Sequence, residues 1–489
     1  MAIYKHGTYG EFASSVGEVA AQSGTVAVFV GAAPVNLIRG YAERVNSPVK
    51  LNNMNDVQNL LGYSKNWSAF DLCEVFKLHF DNNSGNIGPV VAINVLDPAT
   101  HKKSGETTKS VTFVNGRAAF ESDTIILDTL VIANSVENTD YTIGYDFAHG
   151  KVVLTAISDT LLSSTVSVTY SEVDPSALDA DDIIGSATEA GAYTGLGCVS
   201  LVYQELGLIP NLILCPGWSV DPEVYKALIK AGTKINGHWD AAVYADIPVL
   251  DGAAKVDTIA LAKKWKGDNA YTHERSKVFW PQVKGADGSI YHASVLAAWL
   301  TLQVDASHDG VPMESPSNKV VPIVKQYFGT GSTNRGFDQQ QANTLNENGI
   351  TTVVYWGGSW VLWGPHTAAF QHDAVEDNRA IFDNSIRMMM HVSNSFQADW
   401  ALTIDQPMTR ALVDTIKNRE QEKMDALAAI GAFIGTPVVE FHESTNATGD
   451  MINGNFTWHS KGTPTPPFKS GTLLVAYTSE GFNSYFGEV

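Results

Sequence analysis

Asp246, His292 and Ser359 follow one another in the chain order aspartate, histidine, serine. One class of nucleophilic triad uses that order: the histidine takes the serine proton and the carboxylate orients the ring. The segments around them, "YADIP", "YHASV" and "GGSWV", carry no signature of such a site, so three common residues falling in order by chance is the better reading. His6, in "HGT" (His6–Thr8), imitates the histidine motif of the same class but precedes every aspartate in the chain. His366, His372 and Asp373 are metal-ligand types, yet no third ligand lies at helical spacing, and they read as a surface histidine pair. "GLGCVS" (195–200) matches a dinucleotide fingerprint only as far as GxG and does not follow a strand. A P-loop and HExxH are both missing, and Asn446-Ala447-Thr448 reads as a chance sequon. The sequence therefore points to no catalytic residues, no metal and no cofactor.

Composition narrows the class. The 489 residues are 44% hydrophobic and 10% aromatic, enough for several packed cores. A formal charge of −20 argues against nucleic acid as a partner, because phosphate binding needs clustered Lys and Arg. Residues 101–190 hold 14 acidic against 5 basic side chains, which reads as a solvated, outward-facing segment. Cys73, Cys198 and Cys215 are odd in number, widely spaced and without a CxxC pair, so they imply neither disulfides nor zinc and suit a reducing cytoplasm. "MAIYKHGTYG" lacks a signal-peptide pattern, and no apolar run approaches the ~18 residues that span a bilayer.

The elements that must carry any function follow from periodicity. "TVAVFVGAAP" (25–34) and "VVAINVLDP" (90–98) are apolar strands around a helical stretch at 67–80. Between 105 and 172 the pattern turns to short alternating runs, with a hairpin around "AHG" (148–150), and reads as an inserted all-β unit. Strands at 211–215, 241–245, 277–283 and 350–356 then alternate with helices near 188–206, 221–231, 252–265, 291–304 and 338–347, which implies a mainly parallel sheet covered on both faces. From Thr367 to Gly435 the pattern is helical, with an apolar stripe through Ile381, Phe382, Ile386, Met389 and Met390. Short strands and a proline-rich connector, "SKGTPTPPFKSG" (460–471), lead to the end of the chain.

That end poses a physical problem. In "SGTLLVAYTSEGFNSYFGEV", Leu473, Val475 and Tyr477 alternate with Leu474, Ala476 and Thr478, so the strand is apolar on both faces. Such a strand must be paired, either within its own domain or with another chain. A partner at "GNFTWH" (454–459) would make it an ordinary intramolecular strand.

Several segments taken in order resemble one family. "YKHGTYGEF" before "VAVFVGAAP", then "VSVTYSEVDPSALDADDIIG", "GAYTGLGCVSLVYQELGLIPNLILCPGWS" and "AVYADIP" resemble the tail sheath proteins of contractile phages and related particles. "ANTLNENGITTVVYWGGSWVLWGPHT", "DNRAIFDNSIRMMM", "IGAFIG" and "TNATGDMINGNFTW" continue the resemblance, which spans nearly the whole chain except the β insertion.

The resemblance implies a subtilisin-like α/β core, mainly parallel, without a triad. It also implies an inserted all-β domain, an α+β C-terminal domain and extended N- and C-terminal arms. The expected boundaries are 1–24 for the N-terminal arm, 25–100 and 176–364 for the core, 101–175 for the insertion, 365–471 for the C-terminal domain and 472–489 for the terminal strand. It implies a homo-oligomer of stacked hexameric rings forming a helical polymer around a tail tube protein, with baseplate and tail terminator proteins as further partners. Nucleic-acid binding and membrane insertion are not implied, and the place is the virion tail or a tailocin particle assembled in the host bacterial cytoplasm. Strands donated between subunits would involve Ile3, Tyr4, His6, Tyr9 and Phe12 at one end and Leu473, Val475, Tyr477, Phe482, Tyr485 and Phe486 at the other. Gly10, Gly17, Gly24, Gly462 and Gly471 are hinge candidates, and Lys417, Arg419 and Lys423 are candidates to face the tube. The competing readings are a hydrolase on the same fold with an unrecognised site, and a soluble carrier whose acidic β unit binds a ligand.

Overall fold

A computed structural model describes residues 21–374 and 377–487. The chain opens with strand β1 (Ala21–Gly31), edge strand β2 (Pro48–Leu51), helix α1 (Leu72–Phe80) and strand β3 (Ile87–Asn94). From residue 28 to 31 β1 is buried, as is all of β3, which is why both read as unbroken apolar runs.

The segment after β3 forms two antiparallel three-stranded sheets. Their strands are β4 (Thr107–Thr112), β5 (Arg117–Glu121), β6 (Val131–Ile132), β7 (Tyr141–Asp146), β8 (Lys151–Ala156) and β9 (Thr165–Tyr170), ordered β4-β9-β6 and β5-β8-β7. Alternate residues such as Phe120, Val152, Leu154, Val168 and Tyr170 turn inward to a core of their own. Asn36 Nδ2 ties this unit to the rest by donating to the carbonyls of Ile125 (2.8 Å) and Asp123 (3.0 Å).

The α/β pattern then resumes through β10 (Leu212–Leu214), α2 (Pro222–Ala231), β11 (Ala242–Asp246), α3 (Ile259–Asp268), β12 (Ser276–Phe279), α4 (Ala293–Ala306), α5 (Gln339–Asn346), β13 (Ile350–Trp356) and β14 (Ser359–Trp363). One eight-stranded sheet results, in the order β14-β13-β12-β11-β10-β1-β3-β2. Pairings from β3 through β13 are parallel, and the outermost strands β2 and β14 are antiparallel. The order reverses between β1 and β10, the place where sheets of this kind leave a crevice beyond their carboxyl ends. The fold is mixed α/β.

Two expected helices are shorter than their patterns. The 188–206 stretch is helical only from Leu201, after a 3-10 turn over Gly195–Ser200. Gly195 there has φ +52° and lies against the carbonyls of Asp182 and Ile183, a conformation and closeness that an α-helix does not permit. The 252–265 stretch starts its helix at Ile259, where Thr258 Oγ1 accepts from Leu261 N at 3.3 Å.

Helices α6 (Asp383–Trp400) and α7 (Arg410–Ala429), strands β15 (Phe433–Glu440) and β16 (His459–Pro464) and a terminal helix α8 (Glu480–Phe486) complete the chain. Two buried ion pairs fasten α6 to the sheet. Lys277 Nζ on β12 lies 2.7 Å from Asp383 Oδ2, and Arg387 pairs with Asp305 on α4, which also accepts from Thr25 Oγ1 at 2.5 Å. Next to that pair Gly24 and Gly310 meet backbone to backbone: a Cβ on Gly24 would stand 2.7 Å from Gly310 Cα. Gly24 is thus a packing contact at the root of β1, not a hinge.

Removing one partner of a buried pair strands the other charge. Lys277→Met is expected to cost about 3–5 kcal/mol in denaturant unfolding, and Lys277→Met/Asp383→Asn to recover more than half of that. Equal losses in both variants would show that the pair does not couple.

Candidate assembly surfaces

The structure separates the residues of the triad order. Asp246 ends β11 and His292 precedes α4, so both stand at the carboxyl end of the sheet, whereas Ser359 starts β14 at the tip of its hairpin with β13. His292 Nδ1 faces Glu74 Oε2 at 2.8 Å, not Asp246, and the Gln282 amide meets its other ring nitrogen at 3.1 Å. Asp246 is engaged by the Ser294 N–H (3.0 Å) and hydroxyl, capping α4. Asp71 bridges the switch point: its carboxylate accepts from Ala32 N after β1 (2.9 Å) and from Trp218 Nε1 after β10 (2.7 Å). Among the described residues no serine hydrogen-bonds the imidazole, and Glu74 and Gln282 occupy its two nitrogens. Neither Asp71 nor Glu74 was apparent as part of this cluster from sequence, because α1 and α4 are joined only by the fold.

Burial pushes the Asp71 carboxyl up to about 7. Burial also opposes charging His292, but the Glu74 carboxylate, with Asp246 and Asp71, outweighs it and holds the imidazole at about 9. His366 goes the other way. It is not half of a surface pair but a buried ring stacked on Phe370 (3.6 Å) and Phe382 (5.2 Å), and burial lowers it to about 4. His372 remains exposed beside Asp373. Among the described residues no group of three His, Cys, Asp or Glu side chains is placed to hold a metal ion. The Asn446 side chain is buried, accepting from Thr457 N at 2.7 Å and donating to Thr457 O at 2.9 Å, which fixes the start of the final hairpin.

That hairpin is the open feature of the structure. β15 and β16 form a sheet of two strands only, packed on α7 through Phe433, Val439 and Met424. An isolated two-stranded ribbon is marginal in water, so the helices hold it up. The proline-rich connector is shorter than expected, because its first part is β16 itself. The hairpin partner at 454–459 contributes only His459, the residue with which β16 begins. Gly462 lies inside that strand with the Phe433 ring and Met424 directly beneath, where a Cβ would come within 2.7 Å of the ring, so it is no hinge. Gly471 lies against Phe468. Gly10 and Gly17, with Ile3, Tyr4, His6, Tyr9 and Phe12, lie outside the described residues.

Past the connector the chain is apolar and bare. Leu473, Val475 and Tyr477 are 85–86% exposed and join no ladder among the described residues, where the sequence predicted a terminal strand. Residues 480–486 are helical, which the reading of an extended arm did not anticipate, and Phe482, Tyr485 and Phe486 are exposed on that helix. Seven residues are too few for a helix to be stable alone.

On α7, Val413, Ile416, Glu420 and Met424 turn inward. Lys423 is taken up by Asp399 and by Glu420 Oε1 (2.8 Å), and Arg419 lies over the Trp400 ring at 6.0 Å. Lys417, half-buried, pairs with no carboxylate among the described residues. No helix among them is long and apolar enough to cross a membrane.

The buried histidine gives a pH test. An imidazole whose folded pKa is raised stabilises the fold fully below its unfolded value near 6.5, and loses that contribution as pH rises through about 9. The Tm of the native chain is expected to exceed that of His292→Gln most at pH 6, and the gap to close by pH 10. A constant gap across that range would exclude a charged His292–Glu74 pair.

Comparison with known proteins agrees with this anatomy. No family model matches the sequence. The chain is 27% identical over 469 residues to the tail sheath protein of Burkholderia phage BcepMu, covering 92% of each. Its fold superposes on a chain of the anti-feeding prophage baseplate (TM-score 0.56, 14% identity, 98% of this chain and 100% of that one). It also superposes on the sheath complex of an extracellular contractile injection system in its contracted state (TM-score 0.53, 12% identity, 98% and 99%). The chain is thus similar along nearly its whole length to phage tail sheath proteins, which are structural proteins, and shares its fold with a chain of a contractile injection system sheath complex.

Proposed function

We propose that this chain is the repeating subunit of a contractile tail sheath. It polymerises as stacked hexameric rings around a tail tube, and it shortens from a metastable extended state to drive the tube through a target envelope. The observation that carries this is the bare apolar tail of residues 473–478 on a body that also holds an unfinished two-stranded sheet. Among its described residues one copy has an exposed apolar segment outside any sheet and a sheet of two strands, a combination that polymerisation resolves by β-augmentation. The residues before β1 act as the second arm, through Ile3, Tyr4, His6, Tyr9 and Phe12, and the arm expected over 1–24 stops short of Ala21, where β1 begins.

Contraction of such a polymer needs two packings of one subunit that differ in energy, with the higher one set at assembly. The ion pairs at Asp383 and Asp305 hold α6 on the core, so the body moves as a unit while the arms stay paired. Four or five backbone hydrogen bonds of ~1 kcal/mol each survive such motion when the flanking chain yields. The polar face of α7 is assigned to the tube. Lys417 and Arg419 remain for that contact, while Lys423 serves internal pairs, and mixed charge gives a contact weak enough to release. The particle is a phage or tailocin tail, assembled in the bacterial cytoplasm together with baseplate and terminator proteins.

Negative-stain microscopy of the concentrated full-length chain is expected to show hollow, striated cylinders of uniform width. Discrete monomers at every concentration, with tube and baseplate also supplied, would overturn the proposal. Removing residues 472–489 is expected to leave Tm within about a degree or two, since Leu473, Leu474, Val475, Tyr477, Phe482, Tyr485 and Phe486 are all exposed, and to abolish cylinders.

A further inference from the structure

A cleft of about 1040 Å³ is walled by the β13–β14 hairpin and α5 on one side and by the connector at 465–471 on the other. Strand alternation decides what the hairpin presents to it. The register pairs Thr352 with Trp363, Val354 with Val361 and Trp356 with Ser359. Trp356 and Trp363 therefore share the face on which Val354 and Val361 pack against Ala342 of α5. Their indole rings approach each other, with centroids 6.1 Å apart and planes at 55°. Trp363 Nε1 donates to Asn343 Oδ1 at 3.0 Å, which fixes that ring, while Trp356 is 49% exposed.

Polar side chains on the lining are left with bonds to make. Asn384, 1% exposed, donates to Met313 O at 2.9 Å and to Thr465 O at 3.0 Å, but its Oδ1 accepts from nothing among the described residues. A buried acceptor of this kind needs a donor. Ser315, also buried, and Ser317 are the converse. Their oxygens accept from Ser317 N (3.4 Å) and Gly364 N (3.0 Å), and neither hydroxyl donates to a protein group among the described residues. Asn343 likewise keeps its Nδ2 uncommitted.

Most charge on the lining is already used. Glu314 lies 2.5 Å from Lys319 and 3.5 Å from His308, and Lys469 sits 5.8 Å above the Phe370 ring. Burial lowers His366 to about 4, so it is neutral. Glu347 is the lining carboxylate that pairs with no cation among the described residues. A guest must then supply donors and acceptors together and carry no charge. An anion offers acceptors alone and meets Glu347, and an ammonium group offers donors alone. A proline-rich peptide suits an aromatic groove, but its prolines have no N–H to give Asn384 Oδ1.

We propose that this cleft binds a neutral oligosaccharide. A pyranose ring has a face of C–H groups, for which the indoles of Trp356 and Trp363 are the platform. Around its rim stand hydroxyls that each donate and accept, as Asn384 Oδ1, the two serine hydroxyls and the Asn343 amide require. The volume lies at the upper end of small-molecule sites, ~300–1,000 Å³, and suits several linked rings better than one. This assignment does not rest on the strand-donation reading.

The test applies the full-length chain to an array of neutral, uronate-containing and sulfated oligosaccharides, with decaproline as a further probe. Retention on neutral members is expected. Calorimetry then follows the best-retained neutral oligosaccharide on the native chain, on Trp356→Ala and on Tyr355→Ala, whose exposed ring lies on the opposite face of the same hairpin. Trp356→Ala is expected to keep the native circular dichroism and to weaken binding at least about tenfold, and Tyr355→Ala to leave it within about twofold. Retention of charged glycans only, of decaproline in place of sugar, or of nothing at millimolar concentration would overturn the proposal. So would undiminished binding by Trp356→Ala, or an equal loss in both variants.

Discussion

Every backbone N–H and C=O withdrawn from water has to find a partner, and the architecture follows from how this chain meets that demand. Through the large sheet it is met internally, by parallel ladders from β3 to β13 with an antiparallel strand at each end. Even the edge strand β14 is covered, since Leu362 N donates to Lys319 O (3.0 Å) and Val321 N donates to Trp360 O (2.9 Å). On the small hairpin, Gln421 closes the edge of β15. Against that background the open edge of β16 and the unpaired residues 473–478 stand out. Soluble proteins ordinarily blunt such edges, because an exposed apolar strand recruits other chains.

An open edge is useful for polymerisation only if its platform does not give way. The hairpin is too small to hold its own shape, so its position comes from α6 and α7. Of these, α6 is set on the core by Lys277–Asp383 and Arg387–Asp305, pairs with almost no solvent contact. A buried ion pair adds little net stability compared with apolar packing, but it fixes geometry strongly, since sliding α6 along the core would strand two charges at once. Contacts of this kind favour a body that rotates whole, with the adjustable parts confined to its termini.

Much of this was legible in the sequence, for a physical reason. Strands buried on both faces, such as those at 25–31, 90–94 and 350–354, read as mostly apolar runs, and the inserted unit announces itself by switching to a two-residue period. The alternation at 473–478 reads as a strand, whereas the structure leaves those residues exposed and without secondary structure. What stayed hidden depended on neighbours far along the chain. β16 looks like a connector because "SKGTP" is made of turn formers, yet Gly462 is there for the ring of Phe433. His366 looks like a surface residue because nothing in the sequence places Phe370 and Phe382 on either side of its ring. Gln421 belongs to a polar helical face by every local criterion, and only the fold sets it against a strand edge.

The crevice at the switch point shows how a fold location becomes structural. Sheets of this order usually bind ligands beyond the carboxyl ends of their strands, and this one places Asp71, Glu74, Asp246 and His292 there. Their chemistry would serve acid–base catalysis if any one of them were free to face a substrate. Each is instead committed: Asp71 to Ala32 and Trp218, Asp246 to Ser294, Glu74 to the backbone and ring of His292. Those bonds join α1, α4 and the loops after β1 and β10, the pieces that a crevice would otherwise keep apart. An enzyme keeps such groups poised by leaving one hydrogen-bonding position open. Here the positions are filled by the protein itself, and the place where an α/β sheet would carry its chemistry becomes one of the joints that keep the sheath body rigid.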